Sequence, residues 1–182
     1  MELKYDELSE ILNGVNSWIE NCDSKVSTIL SGMGVFAGIL LATDYVSKFI
    51  AIFRFMCEKL TVLSAIYLVI SFLSFCLLLF GVFLLIGVLF ARVNPTEFKD
   101  RGVKGDSLIF FSSIAKNKTL SKYRGKLRKC SAEQMNDEII SQIYICSLIC
   151  DKKFSLYKKG LICSLIGFIV FLIMAIIGVV LT

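Results

Sequence analysis

The amino-acid sequence predicts an all-α integral membrane protein, with three transmembrane helices and a cytoplasmic helical bundle continuous with the spans. Three observations carry that expectation. The 182 residues are 56% hydrophobic, too apolar for an ordinary soluble domain of this length. Three long stretches lack any charged side chain, each long enough to cross a hydrocarbon core at 1.5 Å per helical residue. Apolar residues also recur at alternating steps of three and four outside those stretches, as in helices that bury one seam against others.

The opening segment, residues 1–25, reads as an acidic amphipathic helix. Tyr5, Leu8, Leu12, Val15, Ile19, Cys22 and Val26 follow the three-and-four spacing. Glu2, Asp6, Glu7 and Glu10 against the single Lys4 are the wrong charge for a cleaved signal peptide, so this segment is expected to persist. Residues 26–43 form the first span. Ser27, Ser31, Gly34 and Gly38 make a small-residue stripe on it, which suits close helix packing either within the chain or between copies.

Residues 44–59 read as an external connector at the membrane interface, where Phe49, Phe53 and Met56 alternate with Lys48, Arg54 and Lys59. The second span, 60–91, is the longest uncharged run, about 48 Å of helix against a core of about 30 Å, so it must tilt, kink or continue into protein. Ser64, Tyr67, Ser71 and Ser74 share one seam of its first half. Hydroxyls in a span face other helices or a water-lined path rather than lipid.

Residues 92–159 carry 15 Lys and Arg against 7 Asp and Glu, whereas the 44–59 connector holds three basic residues. The positive-inside rule therefore puts 92–159 in the cytoplasm and the connector outside. Asn94-Pro95, Gly102 and Gly105 mark a turn-rich link. Leu108, Phe110, Phe111, Ile114 and Ala115 then supply an apolar patch. Lys116, Lys118, Lys122, Arg124, Lys126, Arg128 and Lys129 follow without one acidic residue among them. Two readings of this basic run stand: charge bias plus pairing with the acidic first helix, or binding of a phosphate-bearing ligand or anionic lipid.

Ser131 starts the last helix, because Gln134 three residues on completes a capping box and Glu133, Asp137 and Glu138 suit its positive end. Ile140, Ile143, Ser147, Cys150, Phe154, Tyr157 and Leu161 form its expected seam, which leads into the third span at 160–181.

The chain has no histidine, the commonest general base and metal ligand, and no phosphate-binding loop, nucleophile elbow or acidic metal loop. Neither an enzyme nor a resident cofactor is expected. The seven cysteines contain no Cys-x-x-Cys pair and read as packing thiols, Cys146 and Cys150 included. A nucleic-acid polymer is also a poor partner, since no recognition module accompanies the basic run.

The stretch Asn21-Cys22-Asp23-Ser24-Lys25-Val26-Ser27 resembles the Ala-Asp-Thr-Lys-Ala-Ser segment of the transmembrane effectors of Pycsar antiphage systems. Ser107 to Lys116, with Phe110-Phe111 and Ile114-Ala115-Lys116, is similar to that family's Phe-Phe element. Gln142-Ile143, Ser147, Ile149, Lys153-Phe154 and Leu156 resemble its closing helix, with Phe154 where the family has tyrosine.

This resemblance implies a bacterial inner-membrane effector that senses a cyclic pyrimidine nucleotide (cUMP or cCMP), impairs the membrane and causes abortive infection. Lipid contact and a homo-oligomer are also expected, the latter as one reading of the small-residue stripe on the first span. The expected ligand residues are Asp23 and Lys25 at the mouth of the first span, Gln142 and Lys153 on the closing helix, and Arg124 and Arg128. The two arginines lie one turn apart and offer planar forks suited to phosphate. A membrane scaffold for a cytoplasmic partner and a ligand-independent pore-forming toxin are the alternatives.

Overall fold

The computed structural model describes residues 4–42, 44–58, 61–90 and 107–181, and the Asn94-Pro95 link with Gly102 and Gly105 lies outside them. Among the described residues there are six helices and no strand: α1 (Tyr5–Ala42), α2 (Tyr45–Glu58), α3 (Val62–Leu89), α4 (Phe111–Ala115), α5 (Leu120–Lys129) and α6 (Ala132–Leu181). Three of them, α1, α3 and α6, are long and apolar enough to cross a membrane. The protein is thus an all-α membrane protein, as its sequence predicts. It divides into two compact units, Met1–Asn21 with Ala91–Lys153 and Cys22–Phe90 with Phe154–Thr182.

The second, spanning unit is organised by α3 and α6. In lipid, apolar side chains gain little by leaving one another for the bilayer, so helices associate through close van der Waals contact, which small residues permit. Here glycines supply it. A Cβ added at Gly81 would meet the Ser164 backbone, and one at Gly167 would lie 2.5 Å from the Leu78 nitrogen. At Gly160 a Cβ would come within 3.0 Å of Leu85, and at Gly178 it would collide with the Tyr67 hydroxyl. Each step up α3 from Tyr67 through Leu78 and Gly81 to Leu85 matches an equal step down α6 from Gly178 through Gly167 and Ser164 to Gly160. The two helices therefore run antiparallel in fixed register.

Hydroxyls share this seam. Ser64, Tyr67, Ser71 and Ser74 are all buried on α3, on the one seam the sequence sets them on. Tyr67 donates to the Met174 carbonyl at 2.9 Å, and Ser74 donates to the Ser71 carbonyl at 2.8 Å. Thr61 caps α3 by accepting from the Ser64 amide.

Around this pair, Cys22 and Val26 of α1 join Leu85 and Val88 in a fully buried cluster, flanked by Met33, Phe154 and Tyr157. The 44–59 connector is largely one helix, α2, whose Ile52 and Met56 pack with Tyr67 while Lys48 and Arg54 stay exposed. Aromatic rings add further contacts: Phe36 of α1 meets Phe168 edge-on at 5.0 Å, and Phe171 takes Phe49 of α2 and Phe75 of α3.

Two expectations are corrected. On α6, Ile140 and Ser147 are exposed and the buried residues are Ile139, Gln142, Lys153, Gly160, Ser164, Gly167 and Gly178, so the upper seam lies one residue away from the one predicted. Its register is set by the glycines and serine that must face α3. Stepping back from Gly160 in threes and fours reaches Lys153 and Gln142 rather than the most apolar row. On α1, Ser27, Ser31, Gly34 and Gly38 are exposed, and a Cβ at Gly34 or Gly38 would meet nothing within 4 Å. Among the described residues, then, nothing packs against the two glycines of that stripe.

Gly81→Val and Gly167→Val should each destabilise the detergent-solubilised protein by about 1–3 kcal/mol, because backbone lies where the new side chain must go. Gly34→Val should leave the thermal midpoint within a degree or two of wild type. Equal melting of all three variants would refute the assigned packing face.

Candidate ligand site

The first unit holds the short helices and most of the expected ligand residues. One part of it is the segment Ser107–Phe110, which precedes α4 and takes its hydrogen bonds from side chains except at the Phe110 carbonyl, which accepts from the Ser113 and Ile114 amides. Glu138 accepts from the Leu108 amide at 3.1 Å. Gln142, one turn further along α6, donates to the Ser107 hydroxyl at 3.3 Å. That hydroxyl oxygen also accepts from the Ile109 and Phe110 amides, at 3.3 and 3.2 Å. The Tyr123 hydroxyl of α5 donates to the Leu108 carbonyl at 2.9 Å. Leu108 is thus held at both backbone polar groups by two different helices, which fixes the following Phe110 and Phe111. Their rings lie 4.7 Å apart, and Phe111 is 75% exposed.

Local capping sets the helix directions. Asn117 donates to the Ser113 and Ile114 carbonyls and closes α4. Thr119 accepts from the Lys122 amide at the start of α5. Ser131 and Gln134 form the reciprocal capping box expected from the sequence, at 3.1 and 3.0 Å, so α6 starts where predicted.

The six expected ligand residues fall into three places. Gln142 and Lys153 are 6% and 5% exposed on the buried face of α6. Eleven residues of helix separate them, about 16 Å. Gln142 is already committed to Ser107. Arg124 and Arg128 are exposed on α5, where with Leu120, Ser121 and Gly125 they line an open groove of about 440 Å³. The glycine between the arginines leaves the floor of that groove bare. Asp23, half-buried, and Lys25, exposed, belong to the spanning unit.

Arg124 and Arg128 make no ion pair with any described residue, so the expected pairing with the acidic first helix does not occur at these two positions. Glu7 instead accepts from the Lys4 amide at 2.9 Å. Exposed ion pairs contribute at most about 1 kcal/mol, so little is lost by leaving these two arginines facing outward.

Sequence reasoning missed Glu138 as a clamp, since it also suits the helix start. Its spacing of four from Gln142, on the face that reaches Ser107, was the available signal. Burial pushes the Cys146 thiol above its ordinary range, with the neighbouring Cys150 adding to the shift, and burial raises Cys150 as well. Both stay protonated at neutral pH and pack as apolar groups.

Three helices long and apolar enough to cross a membrane, together with a helical unit rich in charged side chains, define an all-α membrane protein. Residues 7–181 match the family described as the Pycsar effector protein domain. The chain is also 31% identical to the Pycsar effector protein GmPycTM of Gulbenkiania mobilis, over 91% of this chain and 89% of that protein. No solved structure matches. The chain belongs to the Pycsar effector family, and its role is that of an antiphage defence effector.

Removing the clamp should free the segment it holds. In Glu138→Ala the Leu108 amide loses a charged acceptor worth about 1.5–3 kcal/mol, so its hydrogen exchange should accelerate roughly tenfold to a hundredfold. Exchange at the wild-type rate would show that Glu138 does not hold it.

Proposed function

We propose that this effector sits in the bacterial inner membrane with its amino terminus and residues 92–159 in the cytoplasm. On binding cUMP or cCMP it impairs the membrane and causes abortive infection, working as a homo-oligomer. Family membership and the excess of basic residues in 92–159 support this reading.

The observation that carries the ligand reading is Lys153. Lys153 is 5% exposed and has its own partner within the chain, so a phosphate reaching its ammonium would compete with, or add to, an interaction already made there. Lys153 lies on α6, which continues without interruption to Leu181. A nucleotide phosphate brought to its ammonium changes the charge balance at that point of the helix. Gly160, the first of the close-contact glycines, is seven residues on, about 10 Å along the same helix. A ligand acts on such a packing only if it favours one arrangement over another, so it must bind the membrane-impairing arrangement more tightly.

The test is dye leakage from vesicles carrying the full chain, with and without cUMP or cCMP, beside direct binding measurements. Lys153→Met should weaken nucleotide binding about tenfold to a hundredfold, the loss of one charge-assisted contact, and shift the leakage response to correspondingly higher nucleotide. Lys153→Arg should retain part of both. Full affinity and full leakage in Lys153→Met would move the ligand away from this residue. Equal leakage with and without nucleotide in wild type would favour the ligand-independent toxin.

A further inference from the structure

The first unit carries two oppositely charged faces, each with uncovered apolar side chains. On α1, Asp6, Glu7 and Glu10 are exposed, and no basic residue follows Lys4 until Lys25. Glu7, Ile11, Gly14 and Trp18 follow one another at steps of four, three and four, so they share one stripe. Ile11 is 43% and Trp18 60% exposed, and a Cβ at Gly14 between them would meet nothing within 4 Å. On α5, Lys122, Arg124, Lys126, Arg128 and Lys129 come without an acidic residue, and Leu120 is 69% exposed.

Both faces belong to the polar unit, outside the apolar spans, where exposed rings and aliphatic chains meet water unless protein covers them. Glu10, Arg124 and Arg128 make no ion pair with a described residue, so these opposite charges are not satisfied against each other within one chain.

We infer that a second copy of this chain covers them, with the Glu7, Glu10 and Trp18 face of α1 in one copy seated on the Leu120, Arg124 and Arg128 groove of α5 in the next. The inference rests on the proposed homo-oligomer and specifies its contact. Charge sets the pairing: acid meets base between copies, whereas α1 on α1 or α5 on α5 sets like charges together. A contact between two different patches is heterologous, so each added copy presents a fresh acidic and a fresh basic face. Copies held in one bilayer share a common up direction, and such a contact closes into a ring around the membrane normal where its rotation divides a full turn, and otherwise runs on as an open row.

The test uses the full chain in detergent micelles, with its mass followed against concentration. Wild type should assemble and dissociate with rising salt, because exposed charge pairs are screened. Glu7→Lys with Glu10→Lys in one variant, and Arg124→Glu with Arg128→Glu in another, should each weaken assembly by tenfold or more. Mixing the two should restore it, since the unreversed basic face of the first fits the unreversed acidic face of the second, and the reversed faces fit each other. Trp18, the chain's one tryptophan, gives an independent reading on unmutated protein: its emission should move to longer wavelength as wild type is diluted.

Assembly unchanged in both variants, or Trp18 emission independent of dilution in assembled wild type, would overturn the contact. So would a mixture that stays dissociated while the four changes in one chain restore assembly, which means pairing within a chain. Loss of nucleotide binding with normal assembly in Arg124→Glu with Arg128→Glu would give the groove to the ligand. Wild type that remains monomeric at every concentration, with and without nucleotide, would defeat the oligomer reading itself rather than only this surface.

Discussion

The close approach of α3 to α6 is the constraint on which the remaining structure depends. A bilayer offers apolar side chains no reward for leaving it, so only contacts tighter than lipid can provide will hold spans together. Gly81 against Ser164, Gly167 against Leu78 and Gly160 against Leu85 supply such contacts at three successive levels. Once those levels are fixed, the rotation of α6 about its axis is fixed too. Everything on the same helix inherits that rotation, including the inward orientation of Lys153 and Gln142 in the polar unit.

That inheritance explains why polar residues occupy buried positions a hydropathy pattern assigns elsewhere. Counting apolar residues alone, the row through Ile140 and Phe154 is the better seam. The helix cannot present that row at one end and glycines at the other without changing its pitch, and α6 is helical throughout. The polar unit therefore receives Gln142 and Lys153 on its inward face. The first is satisfied by Ser107, where it helps to hold a segment without a regular backbone ladder.

Much of the fold is legible in the sequence because its determinants are local. Charge-free runs mark the spans, Ser131 and Gln134 mark a helix start, and the hydroxyls from Ser64 to Ser74 mark a protein-facing row. The first-helix seam holds at Leu8, Cys22 and Val26, although Tyr5 at its head is exposed. What was not legible depends on partners far away in the chain. Gly34 and Gly38 have the spacing of a packing motif yet touch nothing within 4 Å, whereas Gly81, Gly160, Gly167 and Gly178 carry the contacts. A glycine's spacing shows that a helix can be approached, but not which helix approaches it. The candidate site divides in the same way: the basic run is plain from composition, but only the fold separates the outward Arg124 and Arg128 from the inward Lys153.

One feature of α6 bears on how any movement in it travels. The chain's single proline is Pro95, so the 50 residues of α6 include none, nor do α1 and α3. Proline is the commonest cause of a sharp bend in a helix, and its absence leaves a rod about 75 Å long without a built-in hinge. Within the spanning unit, a turn of α6 about its axis would carry Gly160, Gly167 and Gly178 off α3 together, since all three stand on one continuous ladder of backbone hydrogen bonds.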